Sequence, residues 1–508
     1  IPGLSPKHHA PPCPARIFDA FYLLPWTRQA SPFDIGTVFH RTIDGKLICL
    51  EKFSSKQNTW ITIYSGKPGS GKSVAMNNDI IEACMMPGLK RLPIISIIDV
   101  GVSSRGPIDL LRDHLPENQR HLAVYARMKN NEAFAINPLE CSVGFCEPSA
   151  SELAQMVSFV TSLITPVEAR GEPEEGMTSY VDQIIRIAFR QKLDGTTTGN
   201  PHYYQAHRNQ ELDKLLVKYS LADPTDKGTT KPTYYALRDE AHRLAEIYEG
   251  VERLELQRAR DLCHRYAMPV LADLTAAAQH PDIKANYDTT RTKRGEAFAA
   301  YFQRNITEAI TMYPVFSQHT RFDLSYARVV SIDLQDVIGS SGNAKQTSLF
   351  FQIARIYSKK KVAFSIEDLP LIPENYRSYY ERLIKELAED RKIIAMDELH
   401  NAAKDKTLFE ELERDGREAR KWGTELCLAS QMLDDFGMLI KIATRFVIAD
   451  SGTSETRQWM REKISLKPED ECALSMFVGL GPGGLTYLSR IVCKTETFTS
   501  LLTFLIGS

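Results

Sequence analysis

Residues 61–81, ITIYSGKPGSGKSVAMNNDII, restrict the fold more than any other stretch of this chain. A Gly-x-x-x-x-Gly-Lys-Ser pattern falls on Gly66, Gly71, Lys72 and Ser73, after an alternating apolar run at 60–64 and before a segment able to form a helix. The order is strand, loop, helix. A helix start presents free backbone N–H groups and the positive end of its dipole, so a Gly-rich loop feeding one is a cradle for phosphate. Gly66, Lys67, Pro68, Gly69, Ser70, Gly71, Lys72, Ser73 and Val74 are therefore assigned to nucleotide binding; a plain Gly-rich turn would not need the Lys-Ser pair.

Such a loop belongs to an α/β domain, and 508 residues are too many for one ordinary core. Apolar content of 43%, charged content of 25% and a net charge of −2 describe a globular chain and give no sign of a strongly basic nucleic-acid binder. No apolar run reaches the ~18 residues of a membrane-spanning helix. The chain opens on Ile1 without a signal pattern, so a natural N-terminal part is expected to be missing. The nine cysteines show no CxxC pair; Cys141 and Cys146 are the nearest neighbours, and core packing in a reducing compartment is favoured over zinc or disulfides.

Four stretches are expected in order. Residues 1–58 hold a Pro-rich arm and a hairpin around Asp44-Gly45. Residues 59–146 alternate strands and helices, through LPIISIID and HLAVYA, and form the first part of a parallel sheet. Residues 147–325 repeat apolar positions at helical spacing and form an all-α insertion. Residues 326–508 return to strands at RVVSIDL, RKIIAMDE, TELCLASQ and RFVIAD, with helices at 345–361 and 374–390, and close on antiparallel edge strands after GLGPGG.

KIIAMDELH places Asp397 and Glu398 where a buried parallel strand ends, the edge on which the phosphate loop also opens. In a P-loop hydrolase the Ser of the loop, here Ser73, ligates Mg²⁺, and the strand-end Asp holds it through water. Lys72 neutralises the β and γ phosphates, and Glu398 polarises the attacking water. TELCLASQM ends in Gln431, an amide able to sense the γ phosphate; the alternative is a helix-capping strand end. Arg414, Arg417, Arg420 and Lys421 crowd one helix end, as a dipole-complementing turn or as an arginine finger for a neighbouring subunit. His400 is expected to be a helix-start residue rather than a catalytic one.

The hairpin, the phosphate loop, FAINPLE, the helical insertion, IIAMDE, REARKWG and LASQ, in this order, resemble the ATPase domain of type IV secretion and conjugation motors, in particular the TraC, TraU and DotO/IcmB group. The likeness covers nearly the whole chain from about residue 35. It implies a RecA-like P-loop NTPase core of the HerA/FtsK kind with a mainly parallel sheet, interrupted by the all-α insertion. It further implies ATP and Mg²⁺ as ligands, and a homo-oligomer, a hexamer, located in the cytoplasm as a peripheral body at the bacterial inner membrane. Other secretion-system components including a second ATPase, and a secreted protein or nucleoprotein, are the implied partners. By the same likeness Ser73 and Asp397 serve the metal, Glu398 is the base, Gln431 the sensor, and Arg417 and Arg420 belong to the basic motif. Many relatives follow the Asp-Glu pair with a small residue and an aromatic, where this chain has Leu399 and His400.

Other classes share part of this pattern. A DNA-translocating or coupling ATPase has the same motifs but needs basic pore loops, whereas Lys and Arg of the insertion are interspersed with Asp and Glu, so direct DNA binding is not expected. A small-molecule kinase does not need Glu398, and a structural hub binds ATP without turnover.

Overall fold

The computed structural model describes residues 31–33, 36–167, 172–195, 199–225, 231–338, 344–364, 366–402, 406–481 and 484–504. The expected Pro-rich arm lies outside them. The strands, in chain order, are β1 (Val38–Thr42), β2 (Leu47–Leu50), β3 (Ile61–Ser65), β4 (Ile94–Asp99), β5 (Ala123–Arg127), β6 (Val329–Asp333), β7 (Lys392–Met396), β8 (Thr424–Ser430), β9 (Arg445–Ile448), β10 (Gly479–Gly481), β11 (Gly484–Val492) and β12 (Thr497–Phe504). They form one sheet in the order β2-β1-β12-β11-β9-β3-β8-β7-β4-β6-β5, with β10 paired to β11. From β9 to β5 every pairing is parallel; β11, β12, β1 and β2 extend the sheet with antiparallel pairs.

The central strands are buried along their whole length, which explains their near-continuous apolar runs. Alternate side chains still serve opposite faces. Ile63, Met396, Leu428 and Phe446 enter a core shared with helices Ala344–Lys360, Arg377–Glu389 and Lys406–Glu418. Tyr64, Ala395, Cys427 and Val447 enter the opposite core, under helices Lys72–Cys84 and Arg105–His114. The result is a sheet between two helical layers.

Between residues 128 and 328 no strand occurs among the described residues, only the isolated bridges Tyr203↔Thr233 and Arg291↔Ala297. The insertion packs on the first face, where Phe316 stands 5.1 Å from both Phe159, on helix Ala150–Ile164, and Phe350, on helix Ala344–Lys360. The FAINPLE motif is its clamp. Buried Asn137 donates from Nδ2 to the Pro269 carbonyl at 2.8 Å, accepts from Leu139 N at 3.0 Å, and donates its own N–H to Thr320 Oγ1 at 3.0 Å. Among the described residues, no helix is long and apolar enough to cross a membrane.

One expectation is corrected. The strands after GLGPGG are antiparallel, but they are not edge strands: β11 lies between β9 and β12, and β12 between β11 and β1. The hairpin β1–β2, turning at Gly45 with φ +86°, adds outside them, so β2 is the rim of the sheet. Strand β12 and the much earlier β1–β2 hairpin meet there, a pairing that local patterning does not encode.

A buried charge network fastens this flank to the phosphate-loop helix. Asp79 of helix Lys72–Cys84 accepts from Arg445 Nη1 of β9 at 2.6 Å and from the Tyr64 hydroxyl of β3. Lys52 Nζ lies 4.0 Å from Asp79 and 3.8 Å from Glu425, and His40 of β1 contacts Glu82 at 3.2 Å and the Tyr487 hydroxyl of β11 at 3.0 Å. Burial acts to raise the Asp79 pKa, but Arg445 and then Lys52 outweigh it and hold the carboxyl well below its ordinary value. A group depressed in this way stabilises the fold above its unfolded pKa of about 3.9, and the contribution disappears as pH falls below that. Replacing Asp79 by Ala leaves Arg445 buried and unpaired, and is expected to destabilise the protein by about 3–5 kcal/mol at neutral pH. Urea unfolding measures this, and the difference between wild type and Asp79→Ala is expected to narrow as pH falls toward ~3.

Candidate active site

The phosphate loop leaves β3 beside the tip of β8, where Gly66 N donates to the Ser430 carbonyl at 3.4 Å, and Ser70 N closes a turn on the Lys67 carbonyl at 3.1 Å. Glycine is required at two points. A Cβ on Gly66 would stand 2.3 Å from Ser70 Oγ, and Gly71, with φ +93°, has Leu485 of β11 2.8 Å from where a Cβ would be. Helix Lys72–Cys84 begins after Gly71 with no side chain capping its first turn, which leaves its leading N–H groups free for an anion. Lys67, Pro68 and Gly69 form the exposed loop tip, with Lys67 Nζ 3.6 Å from Asp450; Ser73 and Val74 are half-buried in the first turn.

Strand order brings the second motif to this loop. β8 lies between β3 and β7, so Gln431 follows β8 between the phosphate loop and the end of β7. Lys72 is buried, with Nζ 2.6 Å from Glu398 Oε1 and 3.0 Å from Asp397 Oδ1. Burial lowers the Lys72 pKa, yet Asp397 and Glu398 more than compensate and keep it raised. Glu398 has φ +53°, uncommon for a residue with a Cβ, and its N–H donates to Asp397 Oδ1 at 2.7 Å. Its carboxyl is held down at about 2, first by His400 and then by Lys72 and Gln431 against burial, so it is ionised at any ordinary pH.

Gln431 Nε2 lies 3.4 Å from Glu398 Oε2 and 3.2 Å from His400 Nε2. His400 is the second residue of the short 3₁₀ helix Leu399–Ala402, near its start as the sequence suggests, but its Nδ1 is also 3.1 Å from Glu398 Oε2. That contact depends on a side-chain direction that spacing does not reveal.

Two buried oxygens in the cradle have no protein partner, Asp397 Oδ2 and Ser70 Oγ. A buried orphan polar atom is costly unless a ligand satisfies it, and a fully buried carboxylate with one free oxygen beside a Ser-bearing helix start suits a hard, oxygen-seeking cation. The residues present therefore fit a nucleotide with Mg²⁺ at Ser73 and Asp397.

Arg417 and Arg420 lie elsewhere. Arg420 Nη1 donates to the carbonyls of Gln57 at 2.8 Å and Asn58 at 2.9 Å, and its guanidinium faces Trp60 at 5.6 Å. These residues precede β3, so Arg420 occupies the amino edge of the sheet, about 17 Å from the loop at ~3.3 Å per strand residue. Arg417 is exposed and 3.6 Å from Glu413. Helix Lys406–Glu418 carries the basic cluster away from the carboxyl edge, and neither arginine reaches the loop of its own chain.

Two carboxylates were not singled out from the sequence. Asp99 ends β4 and accepts from Ser103 Oγ at 2.8 Å, Ser104 N at 3.0 Å and Ser104 Oγ at 2.7 Å; burial and the neighbouring Asp397 raise its pKa. Asp333 ends β6 and binds Arg127 Nε at 2.8 Å and Gly101 N at 3.0 Å. The available signal was an Asp ending each apolar run, IISIID and VVSID, as in KIIAMD.

No family model and no curated protein matches the sequence. Among solved structures, VirB4 of Thermoanaerobacter pseudethanolicus aligns at TM-score 0.53 and 12% identity, over 94% of this chain and 99% of that one. The cytoplasmic domain of the type VII secretion ATPase EccC of Thermomonospora curvata (TM-score 0.17, 13% identity, 94% of this chain and 61% of that one) and EssC ATPases 2 and 3 of Geobacillus thermodenitrificans (TM-score 0.15, 10% identity, 94% and 99%) align too weakly to carry an argument. The VirB4 likeness, at that identity, speaks to architecture alone: this chain has a VirB4-like fold, a mixed α/β body with a large, mostly parallel sheet.

Proposed function

We propose that this chain is the ATP-hydrolysing motor of a bacterial type IV secretion system, energising assembly of the apparatus or translocation of its substrate. The observation that carries this reading is the Lys72 ammonium lodged between Asp397 and Glu398, with Gln431 beside Glu398, on a VirB4-like fold. The loop N–H groups and Lys72 bind and orient the phosphate chain, which must compete with two carboxylates for the Lys72 ammonium. Glu398, ionised, then accepts a proton from the attacking water, and the Gln431 amide orients that water or the γ phosphate. Ser73 and Asp397 would hold Mg²⁺, which supplies charge neutralisation at the transferring phosphoryl group.

The proposal extends to a hexamer peripheral to the cytoplasmic side of the inner membrane, working with a second ATPase and other secretion components on a protein or nucleoprotein substrate. A ring also gives Arg417 or Arg420 a role, since a guanidinium that cannot reach its own loop can complete the site of the next subunit, where a finger is worth ~10³–10⁵ in rate.

Lys72→Ala is expected to abolish nucleotide binding or hydrolysis while circular dichroism stays unchanged; undiminished phosphate release would remove the loop from the mechanism. Glu398→Gln is expected to keep ATP and Mg²⁺ bound and slow turnover by about 10²–10⁴. Equal loss of ATP binding in Asp397→Asn and Glu398→Gln would contradict the separate metal and base roles. For the finger, mixing inactive Glu398→Gln with the inactive double variant Arg417→Ala, Arg420→Ala is expected to restore activity, because some interfaces pair an intact base with an intact arginine. Mixed oligomers seen by native mass spectrometry without restored activity would rule out action between subunits.

A further inference from the structure

We infer that His400 is a positioning residue for Glu398: it holds one carboxylate oxygen so that the other faces the attacking water. This rests on the ATPase reading above and adds a residue to it. The two oxygens of Glu398 have different neighbours. Oε1 is 2.6 Å from Lys72 Nζ, whereas Oε2 is 3.1 Å from His400 Nδ1 and 3.4 Å from Gln431 Nε2.

The backbone on this side is fixed as well. The Glu398 carbonyl accepts from both Asn401 N and Asn401 Nδ2, each at 3.0 Å, and the Glu398 N–H is tied to Asp397 Oδ1. The positive φ of Glu398 turns the chain so that a residue two positions on returns its side chain to the same carboxylate.

The donors run in one direction. The Gln431 amide nitrogen, donating to His400 Nε2 at 3.2 Å, leaves the imidazole proton on Nδ1, which lies 3.1 Å from Glu398 Oε2 in a close polar contact that falls outside hydrogen-bond geometry. A phosphate chain that draws Lys72 away removes the partner of Oε1 only. His400 and Gln431 stay on Oε2, and Oε1 becomes the free basic oxygen. Without His400 the carboxylate would keep only the longer contact from Gln431 on Oε2, and would rotate away from its productive direction. Loss of a partner that orients a metal ligand typically costs about 10–100-fold, and a loss of that order is expected for a partner that orients a base.

Steady-state phosphate release and binding of a fluorescent ATP analogue, on the full chain, test this with three substitutions. His400→Ala is expected to lower kcat about 10–100-fold with KM and analogue affinity unchanged. His400→Asn places its amide nitrogen near the Nδ1 position and is expected to recover most of the lost kcat. His400→Gln places it near the Nε2 position and is expected to stay as slow as His400→Ala. Should His400→Ala fail to fold, the comparison of Asn with Gln still decides. The inference is overturned by kcat within twofold of wild type in His400→Ala, by equal loss in Asn and Gln, or by a loss carried by KM. A wild-type chain that binds ATP but releases no phosphate overturns the ATPase reading and this inference together, whereas active wild type with an indifferent His400 overturns only the latter.

Discussion

A single buried ammonium ties the two halves of this chain together. Lys72, at the first helical position after β3, lies against Asp397 and Glu398, more than three hundred residues later in sequence, and all three sit at the carboxyl edge of one sheet. Burying a cation next to two carboxylates is tolerable because each charge has a partner, and the same arrangement leaves Asp397 Oδ2 without one. The site thus combines a satisfied salt bridge with a carboxylate oxygen that has no protein partner. On the proposed function, nucleotide binding at this loop would reorganise the contact and so couple binding to the position of Glu398.

The sheet makes that contact possible. With β8 between β3 and β7, the loop, the amide and the carboxylates fall on consecutive strands, and Gln431 spans the gap. The Arg445–Asp79 pair and its neighbours fix the loop helix to β9 from beneath, and Leu485 of β11 presses on Gly71 from the side. The antiparallel flank therefore does more than enlarge the sheet: it packs directly against the Gly66–Ser73 loop. On the other face, the insertion is clamped through Asn137 and shares a core with helix Ala344–Lys360 that also takes in Met396 and Leu399, on either side of Asp397-Glu398.

Much of this was legible in the sequence because it is local. The strand–loop–helix at Gly66 to Ser73, the strand-end pair Asp397-Glu398, the amide Gln431 and the loss of strand rhythm between 147 and 325 are all set by spacing within a few residues. What was not legible depends on which strands become neighbours and where side chains turn. The β11–β12 pair reads as an edge until the N-terminal hairpin is known to dock outside it. His400 reads as a helix start until Glu398 is seen in a left-handed conformation that brings its carboxylate to the imidazole. Asp99 and Asp333 carry the same strand-end signature as Asp397, but no second motif marked them out.

The claim at the centre of this account is that Glu398 activates water against a phosphate held by Lys72, and the fate of the γ phosphate tests it most directly. The purified chain is given ATP and Mg²⁺ in ¹⁸O-labelled water with no other acceptor, and the released phosphate is analysed by mass. The account predicts many turnovers of inorganic phosphate per chain, each phosphate carrying at least one solvent oxygen, and release slowed by about 10²–10⁴ in Glu398→Gln. ATP that stays bound and intact, or a phosphoryl group recovered on the protein or on another molecule without solvent oxygen, would contradict it.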